Sequence, residues 1–359
     1  MLTFRRLALA ALVLLSLPAL AGEFTRDFTT DADELVLKNL VGHVTVLPAR
    51  GDDYQITVHV RGDDADEDLI TIKLDDGRKA ELLVEFPVEE HRRYVYPELG
   101  RGETTIWQPD GDESGGWLSK LWRGLGGEKV TIRGRGRGLE VWADIEIRVP
   151  EGRETAVYLG AGFMDSDGVE GKLVLDTHSG PVKVDGHQGK LVCDTGSGSV
   201  KVSDVDGDLL CDTGSGSVSI TNQRGGNLKA DTGSGSVVIK GADTPDLYVD
   251  TGSGSVRCSG IKTDQARIDT GSGGVELELD RMGTGRFVID TGSGGVELVI
   301  PDDASATISV DTGSGGIRNR LDDAEVLHKS RGEMKLRVGS GKARVIVDTG
   351  SGGVTITSR

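Results

Sequence analysis

A five-residue motif, Asp-Thr-Gly-Ser-Gly, returns along most of the chain and limits its fold more than any other feature. Its aspartates stand at Asp176 (in the variant DTHSG), Asp194, Asp212, Asp231, Asp250, Asp269, Asp290, Asp311 and Asp348. The steps between them are 18, 18, 19, 19, 19, 21, 21 and 37 residues. The last step reads as two periods with a degenerate copy between them, around Arg337-Val338-Gly339-Ser340-Gly341. A unit this short cannot enclose a core of its own, so it must bury its apolar face by stacking on its neighbours.

Parity within the unit gives the direction of each side chain. The position three before the Asp is apolar from Leu173 and Leu191 to Ile308 and Val345, and so is the position one before, from Leu175 and Cys193 to Val310 and Val347. The residue between them varies freely, from Val174 to Lys229, Tyr248 and Arg267. Period-two alternation marks a strand with one buried face, which turns each Thr inward and each Asp outward. A second strand follows the turn, with Val182 to Val354 and Val184 to Ile356 as its apolar columns and residues such as Lys183 or Glu276 between them. Each unit then reads as strand, Gly-Ser-Gly turn, strand, and a second turn such as DVDGD or NQRGGN.

The expected fold is all-β, a β-solenoid of β-helix or β-roll type with about ten short coils. Like strands of successive coils pair in parallel about 4.8 Å apart, and two sheets face each other across about 10 Å. In this reading the turn glycines supply positive φ angles, the Asp accepts turn N–H groups, and the inward Thr hydroxyls stack as a ladder.

The motif has a second meaning that must be weighed. Asp-Thr-Gly-Ser after apolar residues, as in Val288-Ile289-Asp290-Thr291-Gly292-Ser293, is also the loop of aspartic proteases. There two carboxylates share a proton, because like charges so close cannot both ionise. Such an enzyme needs two loops on lobes that face each other. Here the copies follow one another along one wall and point the same way, which excludes protease chemistry. The Asp column itself (Asp176, Asp194, Asp212, Asp231, Asp250, Asp269, Asp290, Asp311, Asp348) is read first as turn capping, with cation binding or partner recognition as alternatives. Calcium, which takes several oxygen ligands, is the cation such a column would hold weakly. One Asp per coil is a thin ligand set and the calcium nonapeptide is absent, so no cofactor is expected.

Cys193, Cys211 and Cys258 are too few and too oddly placed for a disulfide framework, and no C-x-x-C occurs. Cys193 and Cys211 share an inward column on adjacent coils and read as buried thiols, with a disulfide as the alternative. The six histidines lack metal-ligand spacing.

The chain divides into three parts. Residues 1–21 read as a secretory signal: Arg5 and Arg6, an apolar run from Leu7 to Leu17, and the small-x-small site Ala19-Leu20-Ala21. The run is shorter than the roughly 20 residues of a membrane span, and no later stretch could span a bilayer. Residues 22–150 form an N-terminal β region of irregular coils, and 151–359 hold the repeat. An insertion at 99–138 interrupts the β pattern and contains Trp107, Trp117 and Trp122. It reads as a loop packing its Trp residues on the strands, or as an exposed contact site for a glycan, peptide or membrane. Within it, WLSKLWRGL reads as a short amphipathic helix.

A net charge of −17 argues against nucleic acid or an anionic membrane as the main partner. The signal segment, the stretch Leu37, Asn39, Gly42, Val44, Val46 and the repeated TGSGxV units together resemble a bacterial exported β-strand-repeat family known by the label "putative adhesin", a domain of unknown function. That resemblance implies an envelope or surface protein without known catalytic residues. The expected function is therefore non-enzymatic: an exported binding scaffold, periplasmic or at the cell surface, presenting a repetitive acidic surface to an envelope component. The alternatives are a carbohydrate-active β-helix enzyme, which needs an acidic and basic cluster in a groove, and a module that assembles end to end through an uncapped last coil.

Overall fold

The computed structural model describes residues 22–107 and 129–359. The signal segment, the predicted helix WLSKLWRGL, Trp117 and Trp122 lie outside the described residues. The N-terminal strands are β1 (Phe24–Thr30), β2 (Glu34–Pro48), β3 (Tyr54–Arg61), β4 (Thr71–Asp75), β5 (Lys79–Glu85), β6 (Arg93–Val95), β7 (Glu103–Trp107), β8 (Lys129–Arg133) and β9 (Trp142–Val149). The long repeat strands follow: β10 (Arg153–Ser179), β11 (Val182–Thr195), β12 (Val200–Thr213), β13 (Val218–Thr232), β14 (Val237–Thr251) and β15 (Val256–Thr270). Shorter ones complete the chain: β16 (Val275–Met282), β17 (Arg286–Thr291), β18 (Val296–Ile300), β19 (Ala306–Thr312), β20 (Ile317–Arg320), β21 (Glu325–Lys329), β22 (Glu333–Val338), β23 (Ala343–Thr349) and β24 (Val354–Ser358).

The protein is all-β, with a long run of consecutive strands paired in parallel. From β10 to β15 each strand pairs with the next, always between residues one unit apart, so Leu191 lies on Leu173 and on Leu209. The same register continues from β15 to β17 and from β16 to β18. It buries the apolar columns read from the sequence, Leu173 through Val345 and Val182 through Ile356, almost completely, except at Ile317 and Asn319 of β20, which are half-buried. Every Thr of the motif is buried as well.

The segment expected to be a second turn keeps its turn only at its first residue, Asp204 in DVDGD and Asn222 in NQRGGN, and is otherwise part of the ladder. In β12, pairing runs through Val205 to Leu209, and Val169, His187, Val205, Gln223, Ala242, Ile261 and Leu279 form a third buried column. Its polar members hid it in the sequence. Gln223 meets the cost of burial partly by donating from Nε2 to the carbonyls of Gly207 and Gly226, both at 3.0 Å.

The glycines of the turn also act differently from expectation. Gly180 of the DTHSG unit takes a positive φ of 145°, but none of those from Gly196 to Gly352 does, whereas Gly339 and Gly341, outside any DTGSG unit, do, at 55° and 73°. What they supply is space. A Cβ on Gly254 would lie 1.8 Å from the carbonyl oxygen of Gly235, and one on Gly294 1.8 Å from that of Gly273. The Thr, not the Asp, closes the turn. Thr251 Oγ1 accepts the N–H of Gly254 at 3.0 Å and donates to the carbonyl of Gly235, one unit back, at 2.9 Å. The same bridge recurs at Thr213, Thr232, Thr270, Thr291 and Thr349.

The last units are not stacked in chain order. β23 lies between β17 and β19, and β24 between β18 and β20. The long step before Asp348 is therefore not a degenerate coil. It holds the hairpin β21–β22, whose second strand runs antiparallel along β19. The final strand β24, paired on both sides, is not the open edge expected of an uncapped last coil.

The N-terminal strands join the same sheet. β2 pairs in parallel with β10, Glu34 on Glu154 through Val46 on Ser166, and also with β5 and β9. The close-packed glycine column continues into it, since a Cβ on Gly162 would lie 1.8 Å from the Gly42 carbonyl oxygen. β3 and β1 extend this end in antiparallel fashion, as β4 does beside β5. The described ends of the 99–138 insertion are not all loop: within them β7 and β8 form a small separate sheet with β6, burying Tyr94, Ile106, Val130 and Ile132.

Because Thr251 is buried, Thr251→Val leaves both its glycine partners unsatisfied at nearly constant volume. We expect a loss of about 1–3 kcal/mol in urea unfolding, and a much smaller loss for Thr251→Ser, which keeps the hydroxyl. Gly254→Ala, forcing a methyl onto a carbonyl, should cost about 1–3 kcal/mol or more. A neutral Thr251→Val would refute the bridging role.

Candidate functional site

The outward side of the Thr column is the Asp column. All nine aspartates fall into one in-register row, in the order 176, 194, 212, 231, 250, 269, 290, 348, 311. Glu333, opposite Asp311, extends it. The row is half-buried over its first six members and exposed at Asp290, Asp311 and Asp348. Stacked carboxylates repel, by roughly 1 kcal/mol per neighbouring pair in water-like surroundings. Burial and then Asp212 raise the pKa of Asp194; burial and then Asp231 raise that of Asp212, against Lys229. Asp290 is raised by burial and by Asp269 and Asp348, against Arg267.

The middle of the row is partly neutralised by the free position two residues upstream. Lys229 Nζ lies 3.5 Å from Asp231, the Tyr248 hydroxyl donates to Asp250 at 3.0 Å, and Arg267 lies 3.4 Å from Asp269. Lys229 also sits 5.3 Å from the centre of the Tyr248 ring, a cation–π distance. Three successive units thus place a cation, a phenol and a second cation beside three carboxylates. The aspartates do not converge as metal ligands do, and no group of three or more His, Cys, Asp or Glu suited to a metal occurs among the described residues.

A second feature lies along the corner after the second strand. There the chain turns through left-handed residues: Gly168, Gly186, Asp204, Asn222, Gly241 and Gly260, with φ between 55° and 75°. Asp204 and Asn222 are of the types that tolerate this region best after glycine. Where Gly241 and Gly260 withhold side chains, a notch of about 460 Å³ opens, lined by Asp204, Asn222, Asp243, Lys262 and Asp280 among others. Beside it, Arg224 pairs with Asp206 at 3.0 Å, and Arg281 with Asp264 at 2.6 Å and Asp243 at 3.4 Å. The lining has no aromatic ring on which a sugar could stack.

Near the N-terminal strands, register alone assembles a cluster that no motif announced. Asp144 accepts the His43 backbone N–H at 3.0 Å and the Trp142 indole N–H at 3.3 Å, and burial raises its pKa. His43 Nε2 lies 2.7 Å from Asp165, and Tyr96 packs its ring 5.6 Å from that of Trp142. Trp107 ends β7 opposite Lys129. Cys193 and Cys211 are register partners, and both, like Cys258, are free thiols.

These ladders define a class, the all-β repeat proteins built by parallel in-register stacking of a short unit. The family Toastrack DUF4097, a domain of unknown function, matches residues 141–357, and the chain belongs to it. No curated protein matches. Among solved structures, one described as a "putative cell adhesion protein" from Clostridium sporogenes is similar over 94% of this chain and 100% of that chain, at 10% identity and a TM-score of 0.24.

The raised pKa values of Asp194, Asp212 and Asp290 have a defined consequence. The folded state holds these protons more tightly than the unfolded chain, so the contribution to stability is complete below the ordinary value of 3.8 and is lost as pH rises through the folded value. Asp212→Asn removes that loss. Its melting temperature should exceed the parent's at pH 7, and the difference should vanish below about pH 4. A variant no more stable than the parent at pH 7 would contradict the repulsion.

Proposed function

We propose that the protein is a non-enzymatic component of the cell envelope or surface, exported by residues 1–21, whose ladder winds as a β-solenoid and serves as a binding scaffold. The solenoid reading is supported by the pairing of each unit with the units before and after it, at one-unit offset, from β10 to β18. The observation that carries the binding reading is the register of the outward columns. The Asp column repeats one chemistry at strand spacing while its neighbours vary, a surface suited to a partner that is itself repetitive. With net charge −17 and the Asp row on one side, that partner is a cationic or neutral envelope polymer or surface protein, and neither nucleic acid nor an anionic bilayer. The segment Lys229–Tyr248–Arg267 with Asp231, Asp250 and Asp269 is the part of this surface with mixed charge and a ring, and is the contact we favour. Among the described residues no helix is long and apolar enough to cross a membrane.

The test is binding of the purified protein to whole cells and to isolated envelope polymers. Saturable binding is expected, weakened by salt, and about tenfold weaker on combining Asp231→Asn, Asp250→Asn and Asp269→Asn. Release of reducing ends from any of these polymers would instead establish the carbohydrate-active reading and overturn this one.

A further inference from the structure

The hairpin at the end of the ladder carries an inference independent of what the outward columns bind. β21 pairs with β22 on one side and with no described strand on the other. All of its residues are exposed. Val326 and Leu327, 53% and 40% exposed, are the exposed large hydrophobic side chains among the described residues. Their adjacency has a local cause. The register with β22 sets Val326 on Leu336 and then His328 on Lys335, so Leu327 is an extra residue. Such a bulge breaks the alternation of faces and leaves both neighbours in solvent. An unpaired strand edge with apolar side chains is a template for another strand.

The order of charges along β21 identifies that strand. Laid antiparallel on a second copy of itself about Leu327, the sequence Glu325-Val326-Leu327-His328-Lys329 sets Glu325 of one copy opposite Lys329 of the other, twice. Leu327 then meets Leu327, and Val326 meets His328. Opposite charges across an antiparallel pair stabilise it and like charges oppose it. Parallel pairing in register would set Glu on Glu and Lys on Lys. The antiparallel arrangement is two-fold, so it closes at two copies and does not grow into a fibre.

We propose that β21 is a self-association edge through which two copies join tail to tail, antiparallel and centred on Leu327. The contact is one short strand from each copy, smaller than a standard interface of about 1,600 Å², so the dimer is weak and forms at high local concentration.

Sedimentation velocity of the purified protein between about 1 μM and 1 mM should show a monomer–dimer equilibrium. Leu327→Lys, which sets two cations face to face on the axis, should weaken it about tenfold or more. Glu325→Lys should weaken it similarly, and adding Lys329→Glu should restore it. Glu325 also pairs with Arg337 of its own chain at 2.8 Å. That pair is lost in both charge variants, so damage to the hairpin cannot produce the restoration. A monomer throughout, a dimer indifferent to Leu327→Lys, or no rescue by the double charge swap would overturn the proposal. So would growth beyond two copies, which would point to head-to-tail pairing with β1 or β4.

Discussion

The Thr hydroxyl that spans two successive turns is the contact on which the ladder depends. It takes an N–H from its own turn and gives its proton to the glycine carbonyl one unit back. The first glycine of each turn makes a parallel link, its N–H reaching the Thr carbonyl of the preceding unit, as in Gly214 to Thr195 at 3.0 Å. Buried backbone groups left unpaired at a turn cost as much as a lost hydrogen bond each. Here the stacking itself pairs them. The geometry admits no side chain between successive turns, which is why Gly198, Gly216, Gly235 and Gly254 form an unbroken column. It also fixes which way the flanking residues face, with Thr in and Asp out.

That constraint explains an otherwise unfavourable feature. A register that lays Leu on Leu and Thr on Thr must also lay Asp on Asp. The repulsion along the row is a by-product of the periodicity that builds the core. It is offset at Asp231, Asp250 and Asp269 by the one column that the turn leaves free to vary, where Lys229, Tyr248 and Arg267 occur. At Asp194 and Asp212 the free column holds Val192 and Leu210, and burial followed by the next carboxylate of the row raises both pKa values.

Much of this was legible from parity. The inward columns from Leu173 to Val345, the outward Asp row and the buried thiols follow from period two alone. The role of the turn glycines was not, because a Gly needed for space and a Gly needed for φ look alike in sequence. The third buried column was hidden by His187 and Gln223, polar residues that period-two reading assigns to a turn. Stacking order was hidden for a different reason. Any DTGSG unit fits beside any other, so the insertion of the Asp348 unit between those of Asp290 and Asp311 depends on where the β21–β22 hairpin sends the chain. The cluster of His43, Asp144 and Asp165 has no motif at all and arises from pairings across more than a hundred residues.

A parallel ladder must end somewhere, and each end leaves unpaired strand edges that invite uncontrolled growth. Among the described strands of the main sheet four have a single partner, and three of these edges are blunted. β20 is four residues long and exposes Arg318 and Arg320; β4 exposes Lys73 and Asp75; β1 carries Arg26 and Asp27. Charges and short length are the usual means of keeping a sheet edge from recruiting strangers. β21 departs from this by placing two apolar residues at its centre and charges of opposite sign at its ends. A strand built only to stop the ladder would gain from a charge at Val326 or Leu327. The pattern present rejects a parallel copy and accepts an antiparallel one, which is the arrangement that terminates growth while still covering the edge.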